Sequence, residues 1–101
     1  MTVRADLSDD GSTVVAAPGD TLEVALPENA STGYRWAFEP SPGLVILDDR
    51  VLPSSDQPGA GGERVFAVRV DAPGEVRARL RRSWEPPESA ARSYTLRVRT
   101  D

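Results

Sequence analysis

The stretch "VRARLR", from Val76 to Arg81, decides the fold because apolar and charged side chains alternate along it. The stretch "YTLRVR", from Tyr94 to Arg99, repeats the scheme. A period of two places the apolar residues on one face of a β-strand and the arginines on the other. A sheet that has one face on a core and one face in water produces this alternation. We therefore predict two strands with one solvated face.

The same period continues through most of the chain, for example in "TLEVAL" and "YRWAF". Between these runs lie turn segments in which the 9 prolines and 8 glycines concentrate, and proline is excluded from central strands. The predicted strands cover residues 2–7, 12–16, 21–26, 34–38, 44–47, 64–70, 75–82 and 93–99. No segment has a sustained helical period. The pattern predicts an all-β fold, an immunoglobulin-like β-sandwich of seven to eight antiparallel strands.

Composition excludes several classes of function. The length of 101 residues predicts a single domain over residues 1–101. The chain has no Cys and no His, which excludes disulfides, thiol nucleophiles, His-metal sites and Ser-His mechanisms within it. We expect no enzymatic activity, no cofactor and no metal. All 12 basic residues are Arg, which we interpret as the codon composition of a GC-rich bacterial genome.

Charge and hydropathy also limit the partners. A net charge of −4 gives no support to nucleic-acid binding. No run approaches the roughly 18 apolar residues of a membrane span. The N-terminal "MTVRADLSDDG" has no apolar signal core, so we expect a cytoplasmic protein or a secreted or periplasmic mature form without its leader. We expect a monomer that contacts neither nucleic acid nor membrane.

Three connections stand out by their composition. Asn29–Gly33 precedes an aromatic strand, Gly59–Gly62 lies in the irregular stretch 52–63, and Arg82–Pro87 contains an isolated Trp84. Two predicted strands separate each connection from the next. Loops separated by an even number of strands emerge at the same end of a sandwich, so we expect these three together.

In this order, the three loops resemble the signature loops of the chagasin-type inhibitors of papain-family cysteine peptidases, which have an immunoglobulin-like fold. That family carries Asn-Pro-Thr-Thr-Gly-aromatic, then Gly-x-Gly-Gly, then Arg-Pro-Trp or Arg-Pro-Phe. The residues at these positions here are Asn29, Ala30, Ser31, Thr32, Gly33 and Tyr34, then Gly59, Ala60, Gly61 and Gly62, then Arg82, Ser83 and Trp84. The resemblance extends from about residue 20 to the C terminus. Each motif is weak alone, and three in order are together fairly specific.

Two positions depart from the family pattern. Ala30 and Ser83 stand where the family has proline. Each change removes a lock on φ, so the free loop is more mobile and loses more entropy when it binds. We expect weaker inhibition than from a member that matches fully.

The resemblance implies a reversible inhibitor that inserts the three loops into the active-site cleft of a papain-family peptidase. It assigns Ser31–Gly33 to the catalytic centre, where short side chains and a close backbone approach suit a narrow groove. It places Gly59–Gly62 near the non-primed subsites, although these glycines are also typical of a flexible hairpin tip. Arg82 and Trp84 would grip the primed side.

The residue pattern adds its own expectations. Trp36 alternates with core positions, and we predict that it is buried. Tyr34 shares that direction, so we expect it to support the first loop, where Asn29 pins the backbone. Trp84 has no alternating neighbours, as expected of an exposed binding anchor.

Two hypotheses remain open from the residues themselves. One is the peptidase inhibitor, and the other is an immunoglobulin-like interaction or adhesion module that recognises another protein or a glycan. Convergence of the three loops at one end, with Trp84 exposed, favours the first. We interpret the alternating arginines of the last two strands, Arg77, Arg79, Arg81, Arg97 and Arg99, as a solvated sheet face that discourages aggregation.

Overall fold

The computed structural model describes residues 1–28, 33–53, 62–82, 84–86 and 89–100. These residues form eight strands and a 3-10 turn at Leu7–Asp9. The strands are β1 Thr2–Asp6, β2 Thr13–Val15, β3 Thr21–Glu28, β4 Tyr34–Pro40, β5 Leu44–Pro53, β6 Gly62–Val70, β7 Gly74–Arg82 and β8 Arg92–Arg99. Among the described residues, no helix has the length and apolar character needed to cross a membrane.

The strands form two four-stranded sheets, with the orders β1-β3-β6-β5 and β2-β8-β7-β4. This confirms the predicted immunoglobulin-like sandwich, with one difference. β1 pairs with β3, and β2 with β8, in parallel, while the other neighbours are antiparallel. The chain crosses from the first sheet to the second between β1 and β2, so neither strand forms a hairpin with its partner.

The core lies between the sheets and follows the alternation seen in the sequence. Most of its buried members come from β3, β6, β7 and β8, and the others are Ala5, Ala16, Leu44 and Trp36. Trp36 is 3% exposed, as predicted. Tyr94 is also buried, and its hydroxyl donates a hydrogen bond to the Asp6 carbonyl at 3.0 Å. Burial raises the pKa of Tyr94 well above its usual value, because the ionised phenolate would lose its hydration.

Each predicted strand differs from the observed one at one or both ends, by one or two residues except in β5, and two of the differences have a clear physical reason. Leu7 does not end β1 but begins the 3-10 turn, which Asp6 caps by accepting a hydrogen bond from the Ser8 amide at 2.9 Å. β5 does not end at residue 47 but continues to Pro53, with a bulge between Ile46 and Asp48. Its side chains from 45 to 52 are all exposed, so no alternation marks this part of the strand. The ends of the predicted irregular stretch 52–63 are therefore strand residues, 52–53 in β5 and 62–63 in β6.

Candidate functional site

The strand ends that flank the three candidate loops lie at one end of the sandwich. In the first sheet, Gly62 is the pairing partner of both Glu28 and Pro53. In the second sheet, Tyr34 is paired with Arg82. The two sheets are joined here, because the Trp36 indole N–H donates a hydrogen bond to the Pro27 carbonyl at 2.8 Å. The connections that follow β3, β5 and β7 therefore leave from the same end, as the strand count predicts.

Gly33 and Trp84 bring two of the candidate loops into contact. Gly33 has a φ of +80°, in the left-handed region that favours glycine. A Cβ at this position would lie 3.1 Å from Cη2 of Trp84. The indole therefore occupies the space that a side chain at residue 33 would need, although Trp84 is 71% exposed. Trp is among the side chains that most often anchor protein–protein complexes when they are exposed.

Arg82 lies close to two aromatic rings at this end of the sandwich. Its Cζ lies 4.5 Å from the centroid of the Tyr34 ring and 5.9 Å from that of Trp84, both within the range of cation–π attraction. Its Nη1 also lies 3.3 Å from Oε1 of Glu85. Tyr34 itself is half-buried and lies outside the core cluster, so the prediction that it points into the core holds only in part. As the first residue of β4, it lies at the rim of the sandwich.

Several residues of the predicted site lie outside the described part of the chain. These are Asn29, Ala30, Ser31, Thr32, Gly59, Ala60, Gly61 and Ser83. Gly62 is described, and it is the first residue of β6 rather than part of a loop. The structure therefore brings together Gly33, Tyr34, Arg82 and Trp84, with Gly62 at the base of the second loop.

A buried ion pair at the base of the loops was missed by the sequence analysis. The Glu28 side chain is 1% exposed and that of Arg64 is 16% exposed. Glu28 Oε1 accepts a hydrogen bond from the Trp36 amide at 2.8 Å and lies 3.1 Å from Nη1 of Arg64. The pair thus ties together β3, β4 and β6 directly below the first and second loops. A buried carboxylate needs such partners, because its desolvation is otherwise costly.

Arg64 extends this pair to a third charged group. It donates two hydrogen bonds to Asp49, one from Nε and one from Nη2 at 2.7 Å. These bonds hold the pKa of Asp49 below its usual value. The signal for the pair was present in the sequence: Glu28 and Arg64 occupy inward positions of the alternating runs in β3 and β6, where an apolar residue is expected.

The geometry at this end suits binding rather than catalysis. Within the described ranges, no three His, Cys, Asp or Glu side chains form a group that could hold a metal ion. What the end presents is an exposed indole next to a guanidinium and a glycine backbone. These groups are typical of protein-binding surfaces, where Trp and Arg are enriched among the residues that contribute most to affinity.

Fold and site together define a β-sandwich whose loop end has the composition of a protein-binding surface. The model of the chagasin family of peptidase inhibitors, I42, matches residues 15–98. The chain belongs to this family. The family consists of peptidase inhibitors, which agrees with the expectation that the chain is not an enzyme.

Two characterised relatives match most of the chain. It is 28% identical to chagasin of Trypanosoma cruzi over 110 residues, which cover 100% of both proteins. It is 30% identical to amoebiasin-1 of Entamoeba histolytica over 96 residues, which cover 88% of this chain and 90% of the relative. Both relatives come from protozoa, so the comparisons give no support to the bacterial source inferred from the absence of lysine.

Three solved structures share the fold. A cysteine protease inhibitor from Entamoeba histolytica superposes with a TM-score of 0.88 at 20% identity, covering 99% of this chain and 96% of that one. The solution structure of amebosin gives a TM-score of 0.81 at 24% identity, with coverages of 100% and 99%. PbICP-C, solved in complex with falcipain-2, gives 0.66 at 15% identity, with coverages of 100% and 90%.

Proposed function

We propose that this chain is a reversible inhibitor of papain-family cysteine peptidases that inserts three adjacent loops into the active-site cleft. Membership of the chagasin family supports this function. So do the names of two structural neighbours, one a cysteine protease inhibitor and the other solved in complex with falcipain-2. The observation that carries the proposal is the contact of the exposed Trp84 with Gly33, at the end where the flanking strands of all three loops meet.

Each loop has a proposed part in the complex. The first loop, Asn29–Tyr34, covers the catalytic centre with the short side chains of Ser31 and Thr32. Gly59–Gly62 lies against the peptidase near its non-primed subsites. Arg82, Ser83 and Trp84 contact the primed side, with the indole as the main anchor.

The described contacts favour a preorganised binding surface. Arg82 packs on Tyr34, and Trp84 packs on Gly33, so the first and third loops support each other. A surface already ordered in the free protein loses less entropy when it binds, which raises its affinity. This mutual support offsets part of the freedom that Ala30 and Ser83 introduce in place of proline.

The proposal is tested by titrating papain and a cathepsin L-like peptidase with the purified chain while a fluorogenic peptide is hydrolysed. Trp84→Ala and Thr32→Ala are measured alongside. Val45→Ala serves as the control, because it removes a 39% exposed apolar side chain near the start of β5, at the opposite end of the strand from Pro53.

We expect saturable inhibition by the unmodified chain. Trp84→Ala should raise the inhibition constant at least about 30-fold, the effect of losing an anchor worth about 2 kcal/mol or more. Val45→Ala should inhibit like the unmodified chain. Absence of inhibition at high micromolar concentration, or equal inhibition by Trp84→Ala, would overturn the proposal and favour an interaction module with another partner.

A further inference from the structure

The second sheet carries an uneven share of the charge. Its four strands hold eight of the 12 arginines but only two glutamates, although the whole chain has a net charge of −4. The arginines of β7 and β8 alternate outward, as the sequence indicates. The register of β4 adds a feature that the sequence does not reveal.

Arg35 of β4 lies directly opposite Arg81 of β7. In the next outward row, Arg79 has Ala37 on one side and Ser93 on the other. Among the described residues, no carboxylate lies within ion-pair distance of any of these three arginines. Like charges directly opposite each other on neighbouring strands destabilise a sheet. Charged side chains are expected on a solvated sheet face, but solvation alone does not explain why two arginines lie directly opposite each other.

Part of the same face is compensated. Arg77 forms an ion pair with Glu75 at 2.6 Å, and Glu75 also lies near enough to Arg97 for the two charges to interact. Arg99 has no ion pair among the described residues, but it lies opposite Val15 rather than opposite another arginine. Arg35, Arg79 and Arg81, which we call the arginine cluster, differ because they lie on two adjacent rows and include a directly opposed pair of like charges. Local rules of sheet stability are broken mainly at functional sites, so the pairing of Arg35 with Arg81 is informative.

Two members of the arginine cluster line a small cleft. Arg35, Trp36, Ala37 and Arg81 line a cavity of about 150 Å³ on the outer side of the sheet. This volume holds a carboxylate group with its nearest waters. A guanidinium binds a carboxylate through two parallel hydrogen bonds, and two guanidiniums at the mouth of one cleft favour such a guest.

The position of the arginine cluster, next to the third loop, indicates that its partner is the peptidase that binds this loop. The row of Arg35 and Arg81 adjoins the row of Tyr34 and Arg82, which supports Trp84. The guanidinium of Arg81 donates a hydrogen bond to the Glu85 carbonyl at 3.2 Å, so the cluster is continuous with the third loop. The outer face of β4 and β7 beside the third loop is therefore a sheet surface next to the rim of a peptidase that accepts this loop.

We propose that the arginine cluster is a second contact surface for the inhibited peptidase, and that the rim facing it carries carboxylates. This rests on the proposed function and adds the chemistry of the partner. The cluster accelerates association with acidic-rimmed peptidases through electrostatic attraction, while the three loops supply most of the lifetime of the complex. Arg97 and Arg99 remain a solvated face.

The test measures the association rate with the peptidase that the unmodified chain inhibits most tightly, at ionic strengths of about 0.02 M and 0.15 M. The variant is Arg35→Gln with Arg79→Gln, which leaves the bond from Arg81 to Glu85 in place. Arg97→Gln with Arg99→Gln removes the same charge from the same sheet, away from the third loop, and is the matched control. Thermal unfolding of both variants is recorded.

We expect the first variant to associate about three- to tenfold more slowly at the lower ionic strength, with a smaller difference at the higher one. Its Tm should rise by about 1–3 °C, because Arg81 loses the like charge opposite it. A face that serves solubility alone predicts no specific loss of rate. Equal association rates for the two variants would overturn this inference and leave the proposed function standing. Failure of the unmodified chain to inhibit any peptidase would overturn both.

Discussion

Substitution of Arg64 should lower the free energy of unfolding far more than substitution of any exposed arginine. In the variant Arg64→Met, the carboxylate of Glu28, whose side chain is 1% exposed, loses its cation. Breaking a buried pair from one side typically costs about 3–5 kcal/mol. With a urea m-value of about 2 kcal/mol/M, the midpoint of unfolding should fall by about 2 M.

The assay is urea unfolding at neutral pH, followed by tryptophan fluorescence. Arg69→Met is the control, because the pair of Arg69 with Asp71 is 47% and 44% exposed and should be worth less than about 1 kcal/mol. The double variant Glu28→Gln with Arg64→Met should recover more than half of the loss. Glutamine keeps an oxygen that can accept the Trp36 amide, and it leaves no buried charge.

Two results would refute this reasoning. If Arg64→Met and Arg69→Met lowered the midpoint equally, Glu28 would not depend on Arg64. If the double variant were no more stable than Arg64→Met alone, the cost would come from lost packing of the arginine stem rather than from an uncompensated carboxylate.

Further predictions concern single positions elsewhere in the fold. The raised pKa of Tyr94 means that its hydroxyl stays protonated to a higher pH in the folded state than in the unfolded state. The contribution of Tyr94 to stability should therefore be constant below about pH 10 and fall above it, by at most about 1.4 kcal/mol per pH unit; Tyr94→Phe should remove this slope in chemical unfolding between pH 9 and 11. Gly33→Ala should weaken inhibition and cost about 1 kcal/mol or more of stability, because a Cβ there meets Trp84 at 3.1 Å in a backbone conformation with φ at +80°; unchanged inhibition would contradict the described contact. Gly74→Ala should cost about 1–3 kcal/mol yet leave the inhibition constant unchanged in protein that remains folded, because its Cβ would overlap Ser41 away from the loops; thermal unfolding with the peptidase assay separates these two effects.

The architecture could be predicted from the sequence because strands of a half-buried sheet alternate apolar and polar residues. In β3, β7 and β8, alternation places every core residue correctly, and the turns between strands are marked by proline and glycine. β5 was only partly found, since its exposed side chains after Leu44 follow no pattern. The parallel pairing of β1 with β3 and of β2 with β8 depends on which sheet each strand joins. No local sequence pattern indicates that choice.

The candidate site was predictable where composition is unusual and hidden where it depends on register. Trp84 and Gly33 stood out in the sequence, and the structure places them in contact. The pairing of Arg35 with Arg81 could not be read from either strand alone, because it depends on how β4 and β7 are aligned. The pair of Glu28 and Arg64 was visible only as charged residues at inward positions, 36 residues apart in the chain.

The central claim is that the end of the sandwich with the three loops occupies the active-site cleft of the peptidase. The most direct measurement compares binding of the chain to papain with an open cleft and to papain whose cleft is filled by a covalently attached peptidyl inhibitor. The account predicts tight binding to the open enzyme and its loss when the cleft is filled. Equal binding to both forms would contradict it, because the loops would then contact the peptidase elsewhere.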